Sequence, residues 1–260
     1  MLAAERQSSI IEAIGERGAA RVAELATLLD VSDMTIRRDL DALAAAGRID
    51  KVHGGATVKR RPSTDEPGFE AKGVRQVAEK RAIAEQALEL ITPGSAIGLS
   101  AGTTTWTLAG ALPASLDLTV VTNSMHIAEE LDKRGTSVIL TGGVRTPSDA
   151  LVGPIAVASL QSLHLDLVFL GVHGMDVQAG FTTPNLLEAE TNRAFVAAGR
   201  RLVVLADHTK WSTIGLSSIA PLADADVIVT DSGIPTDARS VLTESAEELI
   251  VADVAAEKAS

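Results

Sequence analysis

Apolar positions along the first sixty residues recur at helical spacing and then switch to the spacing of short strands. Ile10, Ile11 and Ile14 share one face of a helix, and Gly15 and Gly18 are expected to break it. Val22 to Leu29 reads as a second short helix with Leu25 and Leu28/Leu29 turned inward. Asp30-Val31-Ser32 is a tight turn, and Ser32 is placed to cap a third helix from Asp33 to Ala45 by accepting a backbone N–H. Ile36, Leu40 and Leu43 form the buried stripe of that helix, which leaves Thr35, Arg37, Arg38 and Asp41 on its other faces. Gly47 ends it. Arg48 to Val52 and Ala56 to Val58 then read as two strands around the turn signal His53-Gly54-Gly55.

Residues 59–73 are polar and punctuated by Pro62 and Pro67, the composition of a linker. Beyond it the pattern changes to short apolar runs alternating with helices. Val74 to Leu90 predicts a helix. The runs Ala96–Leu99, Leu118–Val121, Ser137–Leu140, Leu165–Val172, Leu202–Ala206, Val227–Val229 and Leu249–Val251 predict strands. Helices are expected at Thr104–Leu112, Met125–Lys133 and Leu187–Ala198, with a long loop before the last. Such alternation implies a mainly parallel sheet covered on both faces. The expected organisation is therefore an N-terminal winged helix-turn-helix over 1–58, a linker over 59–73 and an α/β domain over 74–260. Neither a repeat nor a low-complexity tract interrupts it.

Composition sharpens this picture in three ways. Aromatic residues make up only 2% against 46% apolar, so aliphatic side chains must pack both cores. The absence of cysteine excludes disulfides, thiolate metal sites and cysteine nucleophiles. With no apolar run of membrane-spanning length and no secretion-signal pattern at the start, a cytoplasmic protein is expected. The net charge of −11 is unevenly placed: of 23 basic and 34 acidic residues, the first 61 positions hold 10 and 9, so nearly all the excess negative charge lies further on. A roughly neutral N-terminal segment ending in Lys59-Arg60-Arg61 remains compatible with a nucleic-acid partner, because phosphate contacts depend on local cations.

A helix that enters a DNA major groove needs a short preceding turn, small or polar residues at its start, and Arg or Lys within reach of bases and phosphates. Ser32, Met34, Thr35, Arg37 and Arg38 supply these, and Lys51 and His53 in the wing can lie along a neighbouring phosphate backbone. Charges of this kind also occur on any solvated amphipathic helix. Their order here, as helix, turn, helix and Gly-Gly hairpin, favours double-stranded DNA as the partner. The run Val31-Ser32-Asp33-Met34-Thr35-Ile36-Arg37-Arg38-Asp39-Leu40, followed by Leu43, Gly47 and Val52-His53-Gly54-Gly55-Ala56, resembles the DNA-binding signature of the DeoR family of bacterial transcription regulators. The resemblance continues through Gly102-Thr103-Thr104, Thr122-Asn123-Ser124, Leu140-Thr141-Gly142-Gly143, Leu170-Gly171, Glu188-Ala189-Glu190 and Ala206-Asp207-His208-Thr209-Lys210. It implies a homo-oligomeric repressor of carbohydrate or related metabolic genes that responds to a phosphorylated sugar or similar small effector. It also implies a sensor domain similar in fold to ribose-5-phosphate isomerase.

The residues of the second domain support an anion site independently. Gly102, Thr103 and Thr104 lie between a strand and a helix, where glycine lets the backbone approach an anion and the free N–H groups of the helix start point at it. A tight turn with a threonine cap is the plain alternative. Asn123, Gly142, Gly143 and Lys210 fall at other strand ends, which in a parallel sheet share one edge. Lys210 is the natural cation for a phosphate, and Asn123 could bond a hydroxyl. Read singly, Asn123 is as well explained as a helix cap, the glycines as a turn and Lys210 as a surface cation. Glu188 and Glu190 stand near a helix start, where carboxylates also suit the helix dipole.

The isomerase likeness raises a second reading, a sugar-phosphate isomerase with a DNA-binding appendage in which Glu188 or Glu190 is the base. Against it, His173 stands where related proteins commonly carry an acid, and the isomerase's lysine- and glycine-rich loop is missing. Position 100, often Asp in the family, is Ser here, which leaves less charge beside the proposed phosphate. No catalytic residue, cofactor or metal is expected. The five histidines lack ligand spacing.

Overall fold

The computed structural model describes residues 3–17, 19–46, 48–52, 54–58 and 62–254. They divide into two compact units, Met1–Pro62 and Ser63–Ser260.

The first unit contains α1 (Ala3–Arg17), β1 (Ala19–Arg21), α2 (Val22–Leu29), α3 (Asp33–Ala45), β2 (Ile49–Val52) and β3 (Gly55–Val58). α2 and α3 have the expected bounds. Asp30 turns between them in the left-handed region, at φ 51°, and Ser32 Oγ accepts the Thr35 N–H at 3.3 Å. Gly15, in contrast, does not end α1, which continues to Arg17. A helical glycine costs about 1 kcal/mol, while burying a side chain such as Ile10 or Ile14 contributes roughly 1.5–3 kcal/mol; both isoleucines are fully buried.

β1 has no counterpart in the sequence pattern, because Ala19-Ala20-Arg21 carries no alternation signal. It pairs antiparallel with β3, which pairs in turn with β2. Gly54 takes the hairpin turn at φ +81°. Gly55 serves a different need, since a Cβ there would lie 2.3 Å from the carbonyl oxygen of Ala20. His53, Gly47 and the Lys59-Arg60-Arg61 run lie outside the described residues.

Ile10, Ile14, Leu25, Ile36, Leu40, Leu43 and Ile49 form the core of this unit. Asp39 is buried on α3 and ties α1 to it, accepting from Arg6 Nε at 2.5 Å and from Gln7 Nε2 at 3.3 Å. Leu40→Ala should cost about 2–5 kcal/mol, comparable to the whole stability of a domain near sixty residues. Circular dichroism of this variant should show part of the helical signal melting early while the sensor transition stays in place. A single unshifted melt would contradict the assignment of Leu40 to this core.

The second unit begins with α4 (Phe69–Gly73) and α5 (Val77–Leu88). It continues through β4 (Ala96–Leu99), α6 (Thr103–Ala111), β5 (Thr119–Thr122), α7 (Met125–Asp132) and β6 (Ser137–Leu140). Then come β7 (Val144–Arg145), β8 (Leu151–Val152), α8 (Pro154–Gln161), β9 (Leu167–Gly171), β10 (Gly174–Asp176) and β11 (Gly180–Thr183). The chain ends with α9 (Leu186–Ala198), β12 (Leu202–Leu205), β13 (Ser217–Ala220), β14 (Val227–Asp231), α10 (Thr236–Ser245) and β15 (Glu248–Ala252).

Seven strands form one parallel sheet in the order β15-β14-β12-β9-β4-β5-β6. One face packs on α5, α6 and α7 through Ile83, Leu108, Ile127 and Phe169. The other packs on α8, α9 and α10 through Leu160, Phe195, Leu242 and Val168.

Three expectations need correction. Residues 69–73 of the expected linker are helical. The helix expected from Val74 starts at Val77, because Gln76 sits in the left-handed region at φ 48°. The expected long loop before α9 holds β10 and β11, which pair with each other and then with β13 in a three-stranded antiparallel sheet. Among the described residues no helix is long and apolar enough to cross a membrane.

Candidate functional site

On α3 the stripe Ile36, Leu40 and Leu43 is buried, so the opposite face of the helix is presented outward. Arg37, Arg38 and Met34 are exposed and Ser32 lies at the helix start. Neither arginine has an ion-pair partner among the described residues. Thr35 is half-buried and its hydroxyl is hydrogen-bonded to Ser32 Oγ at 3.0 Å. Lys51 on β2 is ion-paired with Asp41 on α3, which ties the wing to the helix and offsets part of its charge.

In the second unit the strand order reverses beside β4: the chain runs outward to β5 and β6, then returns to place β9 on the other side of β4. Ligands of open parallel sheets bind at the carboxyl edge of such a switch point. α6 starts there. Its cap, Gly102, contributes no side-chain hydrogen bond, so the first N–H groups of α6 have no capping side chain. Ser100 Oγ accepts the Gly171 N–H at 3.0 Å and so joins the ends of β4 and β9. Thr103 and Thr104 are buried in the first turn of α6.

The other expected residues divide between scaffold and site. Asn123 is 2% exposed, and both ends of its amide are engaged by backbone. Its Oδ1 accepts from Ala101 N at 2.8 Å and its Nδ2 donates to Leu151 O at 3.0 Å. It therefore holds the turns after β4 and β5 together. Gly142 and Gly143 follow β6 with positive φ, and a Cβ on Gly143 would lie 2.5 Å from Val152 O. That pair serves the β7–β8 ribbon. Glu190 is exposed.

Glu188 on α9 is surrounded by hydroxyls, accepting from Thr146 Oγ1 at 3.0 Å, from Thr183 Oγ1 at 2.9 Å and from Ser148 Oγ. Burial pushes its pKa up, with help from the Glu66 charge, while Ser148 and Lys72 act the other way.

Two cations at this edge were missed in the sequence. Lys72, at the end of α4, is close enough to Glu188, Lys210, Glu66 and Asp149 to feel their charges; burial holds its ammonium below the usual lysine value. Lys80 on α5 is only 4% exposed, and burial lowers it to about 8 despite the nearby Asp207. Its Nζ donates to the carbonyls of Lys72 and Arg75, each at 2.6 Å. A signal for Lys80 was present: it occupies the face carrying Ile83, Ala84 and Ala87, where a lysine must find buried acceptors. Lys210 Nζ lies 3.7 Å from Asp207 Oδ2, an atom buried without a hydrogen-bond partner among the described residues. Three lysines thus gather at one edge of an otherwise acidic unit. Among the described residues no group of three or more His, Asp or Glu is arranged to hold a metal ion.

Next to them His208 Nδ1 meets Asp231 Oδ1 at 2.7 Å, and Asp231 Oδ2 also accepts the His208 N–H at 2.7 Å. The bond to Asp231 raises the imidazole pKa against the effect of burial. A folded value above the unfolded one means the pair stabilises fully below about pH 6.5 and loses that contribution as pH rises through the raised value. Thermal melts should therefore fall between pH 6 and 8.5 more steeply in wild type than in Asp231→Asn. Parallel slopes would rule the pair out as the source.

A winged helix-turn-helix unit joined to an α/β unit with a cationic carboxyl edge defines a class of one-component transcription regulators. Residues 6–61 match the family model of the DeoR-like helix-turn-helix domain, and residues 75–232 match that of the DeoR C-terminal sensor domain. The chain belongs to the DeoR family.

Its relatives include an uncharacterized HTH-type transcriptional regulator, YulB, of Bacillus subtilis, 38% identical over 90% of this chain and 91% of that one. A putative aga operon transcriptional repressor of Escherichia coli O157:H7 is 36% identical over 95% and 93%, and the HTH-type transcriptional regulator GlpR of Haloferax volcanii is 37% identical over 98% and 100%. Among solved structures the chain is similar to ribose 5-phosphate isomerase A of Methanocaldococcus jannaschii at 15% identity and TM-score 0.39, over 52% of this chain and 54% of that one. With relatives along its whole length named as regulators, the chain is a DNA-binding transcription regulator and not an enzyme. The isomerase alternative is set aside.

Proposed function

We propose that this regulator is a repressor of carbohydrate or related metabolic genes, and that a phosphorylated sugar or similar small anion controls its affinity for operator DNA. The observation that carries the reading is the start of α6 without a side-chain cap, at the strand-order switch, on the edge where Lys72, Lys80 and Lys210 gather. Helix-start N–H groups and ammonium groups together are the chemistry of phosphate recognition. Glu188 and Asp207 on the same edge supply acceptors for hydroxyls, which separates a sugar phosphate from bare phosphate.

α3 is the segment that reads the operator, through Ser32, Met34, Thr35, Arg37 and Arg38, with Lys51 and His53 in the wing along the phosphates. A homo-oligomer would present paired copies of α3 to two half-sites. Effector binding shifts the population between two states that differ in operator affinity.

A thermal-shift screen against pentose and hexose phosphates tests the effector half, because a ligand of the folded state raises its melting temperature. The hit is then added to a retention assay with fragments of the protein's own promoter region. Retention that is selective and salt-sensitive, and that falls when the hit is added, is the expected result. The absence of any stabilising phosphate ester would end the effector reading.

A further inference from the structure

Residues 63–75, which hold most of the expected linker 59–73 and the first two positions of the helix expected from Val74, are fastened to the rest of the sensor unit at several points. The Leu216 N–H donates to Ser63 O at 2.9 Å, and Asn185 Nδ2 donates to Glu66 Oε2 at 3.0 Å. The ring of Phe69 stacks on His126 with centroids 3.9 Å apart and planes 17° from parallel, and meets the edge of Trp106 at 5.8 Å and 85°. His126 is itself fixed, with Nε2 3.0 Å from Asp149 Oδ2, and Asp149 Oδ1 accepts from Arg145 Nε at 2.7 Å. At the far end Lys80 Nζ holds the carbonyls of Lys72 and Arg75.

α4 has five residues, too few to persist as a helix by propensity. Its position is therefore set by these fastenings. Phe69 begins the helix and Lys72 lies one turn further on, near enough to Glu188 and Lys210 to feel their charges.

We propose that residues 63–75 form a strap that closes the effector site, and that Phe69, held between His126 and Trp106, is the positioning residue that sets Lys72 toward the bound anion. The proposal rests on the effector site described above and adds its closing element. The strap continues directly from Pro62, the last residue of the first unit.

The test uses the full chain with inorganic phosphate as the probe, bound fractions read by phosphorus NMR line width, and amide hydrogen exchange of peptides covering 63–75. In wild type, phosphate should slow exchange of these peptides. In Phe69→Ala the same peptides should exchange faster without phosphate, while those of β4 and β9 stay as protected as in wild type. Its phosphate dissociation constant should rise about tenfold, through loss of the ring contacts and of Lys72 alignment. Phe69→Tyr, which keeps the stack, should restore both readouts. Phe69→Leu keeps much of the buried volume and replaces the alanine variant if that one does not fold.

A purely structural role would lower the melting temperature but leave phosphate affinity of the folded protein unchanged. That outcome, or exchange over 63–75 indifferent to the substitution, overturns the strap while leaving the effector site standing. Failure of wild type to bind phosphate or any phosphate ester overturns the effector site and the strap with it.

Discussion

Replacing Arg37 and Arg38 together by alanine is expected to weaken operator binding by at least about 100-fold at fixed salt, without unfolding the protein. Both side chains are exposed on α3, and neither has an ion-pair partner among the described residues. The helix itself is anchored by Ile36, Leu40 and Leu43, none of which the substitutions touch. A bidentate arginine contact to a base is worth about 1–3 kcal/mol of discrimination, and a phosphate contact adds about one to the salt slope. The two roles separate on measurement by fluorescence anisotropy at several salt concentrations. A base-reading arginine loses sequence preference when removed, whereas a phosphate-binding one lowers the slope for all sequences. Lys51→Ala should have a smaller effect, because Asp41 already shares its charge. Wild-type affinity in the double variant would remove α3 from the groove.

The second large effect concerns Lys210. Lys210→Ala should raise the effector concentration for half-maximal release of operator by about 10- to 100-fold, the range expected when a charge-assisted hydrogen bond worth about 1.5–3 kcal/mol is lost. Each variant is compared with its own effector-free affinity, so a change in DNA binding does not enter. pH provides an independent handle on the same edge. Burial lowers the Lys80 ammonium to about 8, so its charge is lost as pH rises through that value. A bound phosphate favours the charged form, and binding near pH 8 should take up protons and weaken between pH 7 and 9. Titration calorimetry in buffers of different ionisation enthalpy reads that uptake directly. In Lys80→Met the uptake should shrink. A wild-type response that is flat from pH 7 to 9 would exclude Lys80 from the anion's surroundings.

Most of the parallel sheet could be read from the chain because its strands are buried on both faces and appear as compact apolar runs, such as Leu202 to Leu205. α8 and α10 were missed for opposite reasons. Pro154-Ile-Ala-Val-Ala-Ser-Leu-Gln is apolar on nearly all sides and has no periodic face, while Thr236 to Ser245 buries little beyond Ala238 and Leu242. β10, β11 and β13 are only three or four residues long and are interrupted by small or polar residues such as Gly174, Gly180, Thr182, Ser217 and Ser218, so their order comes from pairing with one another. α4 was hidden by Pro67 and Gly68, which resemble linker punctuation; what holds it is the ring of His126, more than fifty positions away. The site followed the same logic. Lys210 stands out in the sequence by its place after a strand and Lys80 by its place on an apolar helix face, whereas Lys72 takes its meaning from Glu188 and Lys210, distant in sequence. Asn123, expected to face the ligand, is instead occupied by two backbone groups that no local pattern reveals.

Among the described residues, those that fill the interior of the first unit all lie from Ile10 to Ala56. During synthesis this interior is complete before β4, the first strand of the sensor sheet, has been made, and β4 must then wait for its partner β9, the central strand, to join it from seventy positions later. Long-range pairing of that kind closes slowly, local packing quickly. A nascent or prematurely terminated chain can therefore carry a finished first unit while the sheet of the second is still open.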